Sequence, residues 1–167
     1  VGGRAQTEQT VALGADTNGR LVALCHTGTV VKSGHNALPE PFILSAQSSY
    51  ATPTMLLDVQ VATLDVLANT FMRAPGEAVG SFALESAMDE LAERIGLDPV
   101  ELRLRNEPEK DPVKGLPFSS REVVKCWMDG AARFGWDQRP AQGTRREGEW
   151  LIGFGCAMAG YPYQRMP

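Results

Sequence analysis

Glu77-Ala78-Val79-Gly80-Ser81-Phe82-Ala83-Leu84-Glu85-Ser86-Ala87-Met88-Asp89-Glu90-Leu91-Ala92-Glu93-Arg94-Ile95, closed by Gly96 and followed by Leu97-Asp98-Pro99-Val100-Glu101, decides the fold. Apolar Val79, Phe82, Ala83, Ala87, Met88, Leu91, Ala92 and Ile95 recur at i, i+3 and i+4, while Glu85, Asp89, Glu90, Glu93 and Arg94 populate the other side. That period predicts an amphipathic helix over 77–95, packed on something. Gly96 stands where a left-handed C-terminal cap is needed. Asp98 is a capping side chain, Pro99 takes the first helical position and Glu101 the third, so a second, short helix should run to about Arg105. Ser119-Ser120-Arg121-Glu122 reads as another capping box. It opens a third helix, over 120–134, through Val123, Val124, Trp127, Met128, Ala131 and Phe134, ending at Gly135.

A one-sided helix needs a partner surface, and the upstream residues supply it. Thr7 to Gly14 and Arg20 to Thr27 are β-rich runs around Asp16-Thr17-Asn18-Gly19, which predicts an antiparallel hairpin turning near Asn18-Gly19. Lys32 to Tyr50 carries Gly34, Pro39 and Pro41 without steady periodicity and reads as an irregular connection. Thr54 to Leu67 alternates like a strand, and Trp150 to Met158 reads as a buried strand. The expected fold is α+β: one module over 1–167, with a small, largely antiparallel sheet covered by two or three helices in two layers.

Composition bounds the function. The 167 residues are 43% hydrophobic and 22% charged, which excludes a disordered chain and fits one domain. A net charge of −4 argues against a nucleic-acid surface, whose affinity comes from clustered Lys and Arg. No run of 18 apolar residues predicts a membrane span. Cys25, Cys126 and Cys156 are too widely spaced for a zinc or iron-sulfur nest and are expected as buried free thiols. The compartment, cytoplasmic or periplasmic, is not readable. Residues 1–83 contain only 4 of the 16 Lys+Arg and 6 of the 20 Asp+Glu. With no initiator Met and an aromatic, glycine-rich end, this charge-poor half suggests an interior piece of a longer chain, whose bared surfaces would self-associate.

Among candidate chemical groups, Gly153-Phe154-Gly155 with Gly160 has the wrong offset for a dinucleotide loop. His26 and His35 lack partners at metal-ligand spacing and read as structural or surface residues. Glu77, Glu85 and Asp89 lie on or near one helix at spacings of eight and four, so Glu85 and Asp89 could meet, but a solvated helix face explains them as well, and no catalytic triad is legible. Phe71-Met72-Arg73-Ala74-Pro75-Gly76 leaves a strand and opens the long helix, whose positive end favours an anion. Both a structural turn and a ligand-contacting loop are open there.

Phe71-Met72-Arg73-Ala74-Pro75-Gly76-Glu77-Ala78 with Glu85, Met88-Asp89-Glu90-Leu91-Ala92, Gly96-Leu97-Asp98-Pro99 and Glu101-Leu102-Arg103-Leu104-Arg105-Asn106 resembles the molybdenum-binding subunit of the xanthine dehydrogenase and aldehyde oxidoreductase family. Gly2-Gly3-Arg4, Gln9-Thr10, Leu13-Gly14-Ala15-Asp16 and Tyr161-Pro162-Tyr163 extend the resemblance, to bacterial members, over nearly the whole chain. The resemblance implies an oxidoreductase that hydroxylates aldehydes or aromatic heterocycles with oxygen from water. It implies a molybdenum ion held by molybdopterin, often in the cytosine dinucleotide form, with iron-sulfur clusters and FAD on partner subunits. It also implies that Met72, Arg73, Ala74 and Gly76 form the loop against the cofactor. Pro75 falls where purine-oxidising relatives place a substrate-stacking phenylalanine, which makes it the substrate-facing position and disfavours a purine. A second substrate-facing arginine of those relatives has no counterpart at 32–35. The family's catalytic glutamate and upstream pterin loops have no counterpart either, so no catalytic or metal-ligating residue is assigned and the chain alone is expected to be inactive. The rival expectation is a non-enzymatic protein-interaction module.

Overall fold

The computed structural model describes residues 3–35, 39–70, 72–141 and 144–161. Its elements are strands β1 (Thr7–Ala15) and β2 (Leu21–Ser33), helix α1 (Leu44–Ser49), strand β3 (Met55–Leu64), helices α2 (Glu77–Ile95), α3 (Pro99–Arg105) and α4 (Val123–Phe134), and strands β4 (Arg145–Glu147) and β5 (Trp150–Ile152). The fold is α+β, with helices laid on one small sheet and a separate short ribbon of β4 and β5.

The first hairpin forms where Asn18-Gly19 predicts it. Asp16 Oδ1 accepts from the Asn18 and Arg20 amides at 2.9 Å, and Gly19 takes φ +78. β1 pairs antiparallel with β2 from Thr7↔Val30 onward. β3 then joins the other edge of β2 in parallel, from Leu24↔Met55 to Ser33↔Leu64, so the three-stranded sheet is mixed. A parallel neighbour requires a crossover, and the stretch read as irregular carries one, with α1 packed against α2.

α2 and α3 occupy the expected residues, with Gly96 left-handed at φ +67 and the Asp98 carboxylate accepting from the Val100 and Glu101 amides at 2.8 and 3.2 Å. The buried stripe of α2 is rotated from the expected one. It runs through Glu77, Gly80, Leu84, Glu85, Met88 and Ala92, while Phe82 is 78% exposed and Ile95 is also exposed. Two causes act together. Gly80 lets the helix backbone close on α1's approach, since a Cβ there would meet the Phe42 carbonyl oxygen at 1.7 Å. Glu85 is drawn inward by Arg103. Leu84, Met88 and Ala92 pack with Leu21, Leu24, Ala46, Tyr50 and Leu102 as the main core, and Ala5, Val30 and Phe42 form a second cluster.

The C-terminal expectations need correction. α4 starts at Val123 with Glu122 in the capping position and no side-chain cap, so the Ser119–Glu122 box does not form. Arg121 instead pairs with Glu107 and stacks over Phe118. None of α4's residues is buried. The expected buried strand 150–158 is regular only at Trp150–Ile152, and Trp150 and Leu151 are exposed. Its partner is the three-residue β4, whose residues are all exposed, so no core layer covers it. The three thiols are free but half-buried or exposed rather than buried.

Candidate functional site

The Met72–Gly76 segment is held from beneath by two residues distant in sequence. Arg4 Nη1 donates to Glu40 Oε2 at 3.0 Å and to the Ala74 carbonyl at 3.2 Å, and Nη2 donates to the Arg73 carbonyl at 2.8 Å. The Gly76 amide donates to the same Glu40 oxygen at 3.4 Å. Ala74, at φ +58, is the non-glycine residue with positive φ among the described residues, and Gly76 follows at φ +89. A side chain at Gly76 would bring Cβ within 2.6 Å of the Pro41 carbonyl oxygen, so glycine is required for both reasons.

Met72 and Arg73 are exposed, Ala74 and Pro75 half-buried and Gly76 buried. These sequence-predicted residues therefore form one rim, its carbonyls turned toward Arg4 and two side chains facing out. Phe71 lies outside the described residues, as do Asn36 to Leu38 beside the 32–35 stretch. At the mouth of α2 the negative charge comes from the protein itself: Glu77 is buried in the first turn. Glu77 Oε2 and Glu40 Oε1 lack a protein hydrogen-bond partner among the described residues.

Arg4 and Glu40 were not singled out as site residues by sequence. Their signal was the scarcity of charge in the first half, where each ion must have a reason to be present.

A second polar cluster lies at the join of α2 and α3. Glu85 Oε1 accepts from the Tyr50 hydroxyl at 2.5 Å, and Oε2 accepts from Arg103 Nε at 2.8 Å and from the Met158 amide at 2.8 Å. Arg103 also reaches the Pro99 carbonyl at 3.0 Å, the Glu85 carbonyl at 3.2 Å and Asp89 at 2.8 Å, with the Trp127 ring 5.6 Å away. Burial, then the Glu85 charge, holds the Tyr50 hydroxyl well above its usual pKa. Burial also opposes the charge on Arg103, but Tyr50 and Glu85 outweigh it and raise the guanidinium above its ordinary value. The neighbouring Cys156 thiol is pushed up to about 11, chiefly by burial, and is therefore protonated and unreactive at neutral pH. Asn106 completes this layer by bonding the Leu21 amide and the Gly19 carbonyl, both at 2.8 Å, which ties the first hairpin to α3. Both Glu85 oxygens and the Arg103 fork are taken up within the protein, and the cluster is architectural.

Comparison with known proteins assigns the chain to a family. The family model for the molybdopterin cofactor-binding domain matches residues 1–107, and the chain belongs to that family. It is 42% identical over 158 residues to the aldehyde oxidoreductase molybdenum-binding subunit PaoC of Escherichia coli (strain K12), an alignment covering 92% of this chain and 21% of that protein. It is 34% identical over 99 residues to the putative xanthine dehydrogenase molybdenum-binding subunit XdhA of the same organism, covering 58% of this chain and 13% of the relative. The chain thus spans about a fifth or less of these relatives' length. Its fold is that of the aldehyde oxidoreductase from Desulfovibrio gigas, with a TM-score of 0.67 over 84% of this chain and 17% of the other at 22% identity.

Molybdopterin with its molybdenum is the group this family binds. Among the described residues, no three or more His, Cys, Asp and Glu side chains gather in a way that could hold a metal ion. The rim instead offers a fixed backbone, exposed Met72 and Arg73, and buried carboxylate oxygens beneath. A cofactor carried by its own organic ligand asks of the protein a fixed surface rather than a ligand cluster, and the anchored loop with exposed Met72 and Arg73 meets that requirement. No helix among the described residues is long and apolar enough to cross a membrane.

Proposed function

We propose that this chain is a module of the molybdenum-binding subunit of an oxidoreductase that hydroxylates an aldehyde or aromatic heterocycle with oxygen from water, and that Met72–Gly76 is its cofactor-facing loop. The observation that carries the reading is the shape of that loop. It is an exposed rim held in a left-handed backbone at Ala74 and Gly76 and anchored from inside, within the segment that matches the cofactor-binding family. When bound, the cofactor supplies the redox chemistry and a route for electrons out of the substrate.

This chain's residues contribute position. Met72 and Arg73 present their exposed side chains outward while the Arg73 carbonyl stays bonded to Arg4, Ala74 and Gly76 keep the rim low enough for close approach, and Pro75 borders the substrate with a small, rigid ring. A proline there cannot stack on a flat purine as a phenylalanine could, which favours aldehydes or other aromatics. The Arg73 cation would favour an anionic cofactor. In this reading the cofactor is the cytosine dinucleotide form, and partner subunits carry iron-sulfur clusters and FAD. In this reading the catalytic glutamate belongs to another part of the full subunit, and these residues are inactive alone.

The test is Arg73→Ala in the full-length subunit with its partners, with molybdenum content and aldehyde turnover both measured. A fall in turnover of roughly 10²-fold is expected, the scale of a displaced reaction partner. Wild-type content and turnover together would reject the assignment.

A further inference from the structure

We propose that Arg4 and Glu40 are positioning residues for the Met72–Gly76 loop, acting on the reaction through the loop's backbone rather than by touching substrate or cofactor. The inference rests on the reading that this loop faces the cofactor, and it adds the device that sets the loop's shape.

Three segments converge there. The residues before β1 reach the loop through the Thr70 amide, which donates to the Gly3 carbonyl at 3.0 Å, and through Arg4. The stretch leading into α1 brings Glu40 and Pro41. The loop itself then enters α2, whose first turn is bonded to α1: Ser45 Oγ donates to the Glu77 carbonyl at 3.3 Å.

Glu40 is 1% exposed, and a buried carboxylate is tolerated only with a counter-charge and hydrogen bonds. Arg4 provides the counter-charge with one nitrogen and has donors left over, which it spends on the Arg73 and Ala74 carbonyls. The Ala74 carbonyl also accepts from the Ala78 amide at 3.1 Å, so the fork is tied into the start of α2. From the other side Glu40 takes the Gly76 amide. The two residues thus grip the loop on both flanks of Ala74, the position whose left-handed backbone an L-residue rarely adopts unaided. With both carbonyls turned inward, the outer surface of the rim is set by this grip.

The grip depends on the planar fork of arginine, because a lysine ammonium can satisfy Glu40 but cannot address three oxygens in a fixed plane. Arg4→Lys therefore separates the ion pair needed for folding from the hold on the loop. Glu40→Gln is the complementary variant, since it keeps size and acceptor but removes the charge that fixes Arg4.

Both variants are made in the full-length subunit with its partner subunits. Amide hydrogen exchange over 72–78 and 99–106 is measured together with molybdenum content, kcat and KM. The expected result is exchange at the Gly76 and Ala78 amides at least about tenfold faster, unchanged exchange over 99–106, and a fall in kcat that exceeds any change in KM at wild-type molybdenum content. Wild-type exchange at Gly76 and Ala78 in both variants would overturn the proposal at the grip itself. Faster loop exchange with unchanged kcat and KM would overturn it at the site, because the hold would exist while the loop lay away from the chemistry.

Discussion

Arg103–Glu85 and Arg4–Glu40 are both arginine–glutamate pairs with a buried carboxylate, but the arginine's spare donors go to different places. Arg103 is itself buried, and its donors end on the carbonyls of Pro99 and Glu85 and on Asp89, all within or between α2 and α3. Both Glu85 oxygens are occupied. Arg4 is partly exposed, its spare donors end on a loop, and Glu40 Oε1 is left over. The first pair joins secondary structures whose conformations are already set by their own backbone bonds. The second shapes backbone that has no ladder of its own. An ion pair's role is thus read from what its remaining donors hold.

The comparison is broken most directly at Arg103. Arg103→Ala strands Glu85 and is expected to cost about 3–5 kcal/mol of folding free energy, measured by urea unfolding. A loss under about 1 kcal/mol would contradict the architectural role.

The next largest effect lies outside both pairs, at His26. This fully buried imidazole bonds Gln9 Oε1 at 2.9 Å and packs 5.2 Å from the Phe42 ring, beside the stretch that carries Glu40. Burial lowers its pKa from 6.5 to about 4. The unfolded chain then binds the proton first, so stability is full above pH 6.5 and declines as pH falls toward 4, by up to about 3 kcal/mol. Urea midpoints from pH 7 to pH 4 for wild type and His26→Gln isolate this share, and equal slopes in the two would remove it.

The smallest effect sharpens the contrast. Arg4→Lys keeps the charge and is expected to lower global stability by under about 1 kcal/mol in the same urea experiment. A loss comparable to that of Arg103→Ala would make Arg4 architectural too.

The parts of the fold legible in the sequence were those encoded locally. Asn18-Gly19 declared the first hairpin, and Gly96, Asp98 and Pro99 declared the ends of α2 and α3, because each acts on its own neighbours. What was hidden depends on distant partners. Glu85 looked like a solvent residue because Arg103, which neutralises it, arrives from another helix. α1 left no trace because Leu44-Ser45-Ala46-Gln47-Ser48-Ser49 is too short to show a period. β3 alternates as a strand should, but whether it runs parallel is decided by the crossover and not by its own residues. The candidate loop was visible through its Pro and Gly, whereas its foundation lay far away in sequence, at Arg4 and Glu40.

The central claim is that the backbone around Arg73 lies against a molybdenum cofactor, and an experimental structure of the full-length subunit with its cofactor bound tests it most directly. The predicted result is Met72–Gly76 in van der Waals contact with the cofactor, with Arg4 still forked onto the Arg73 and Ala74 carbonyls. A loop packed against other polypeptide, with no atom of the cofactor beside it, would contradict the claim.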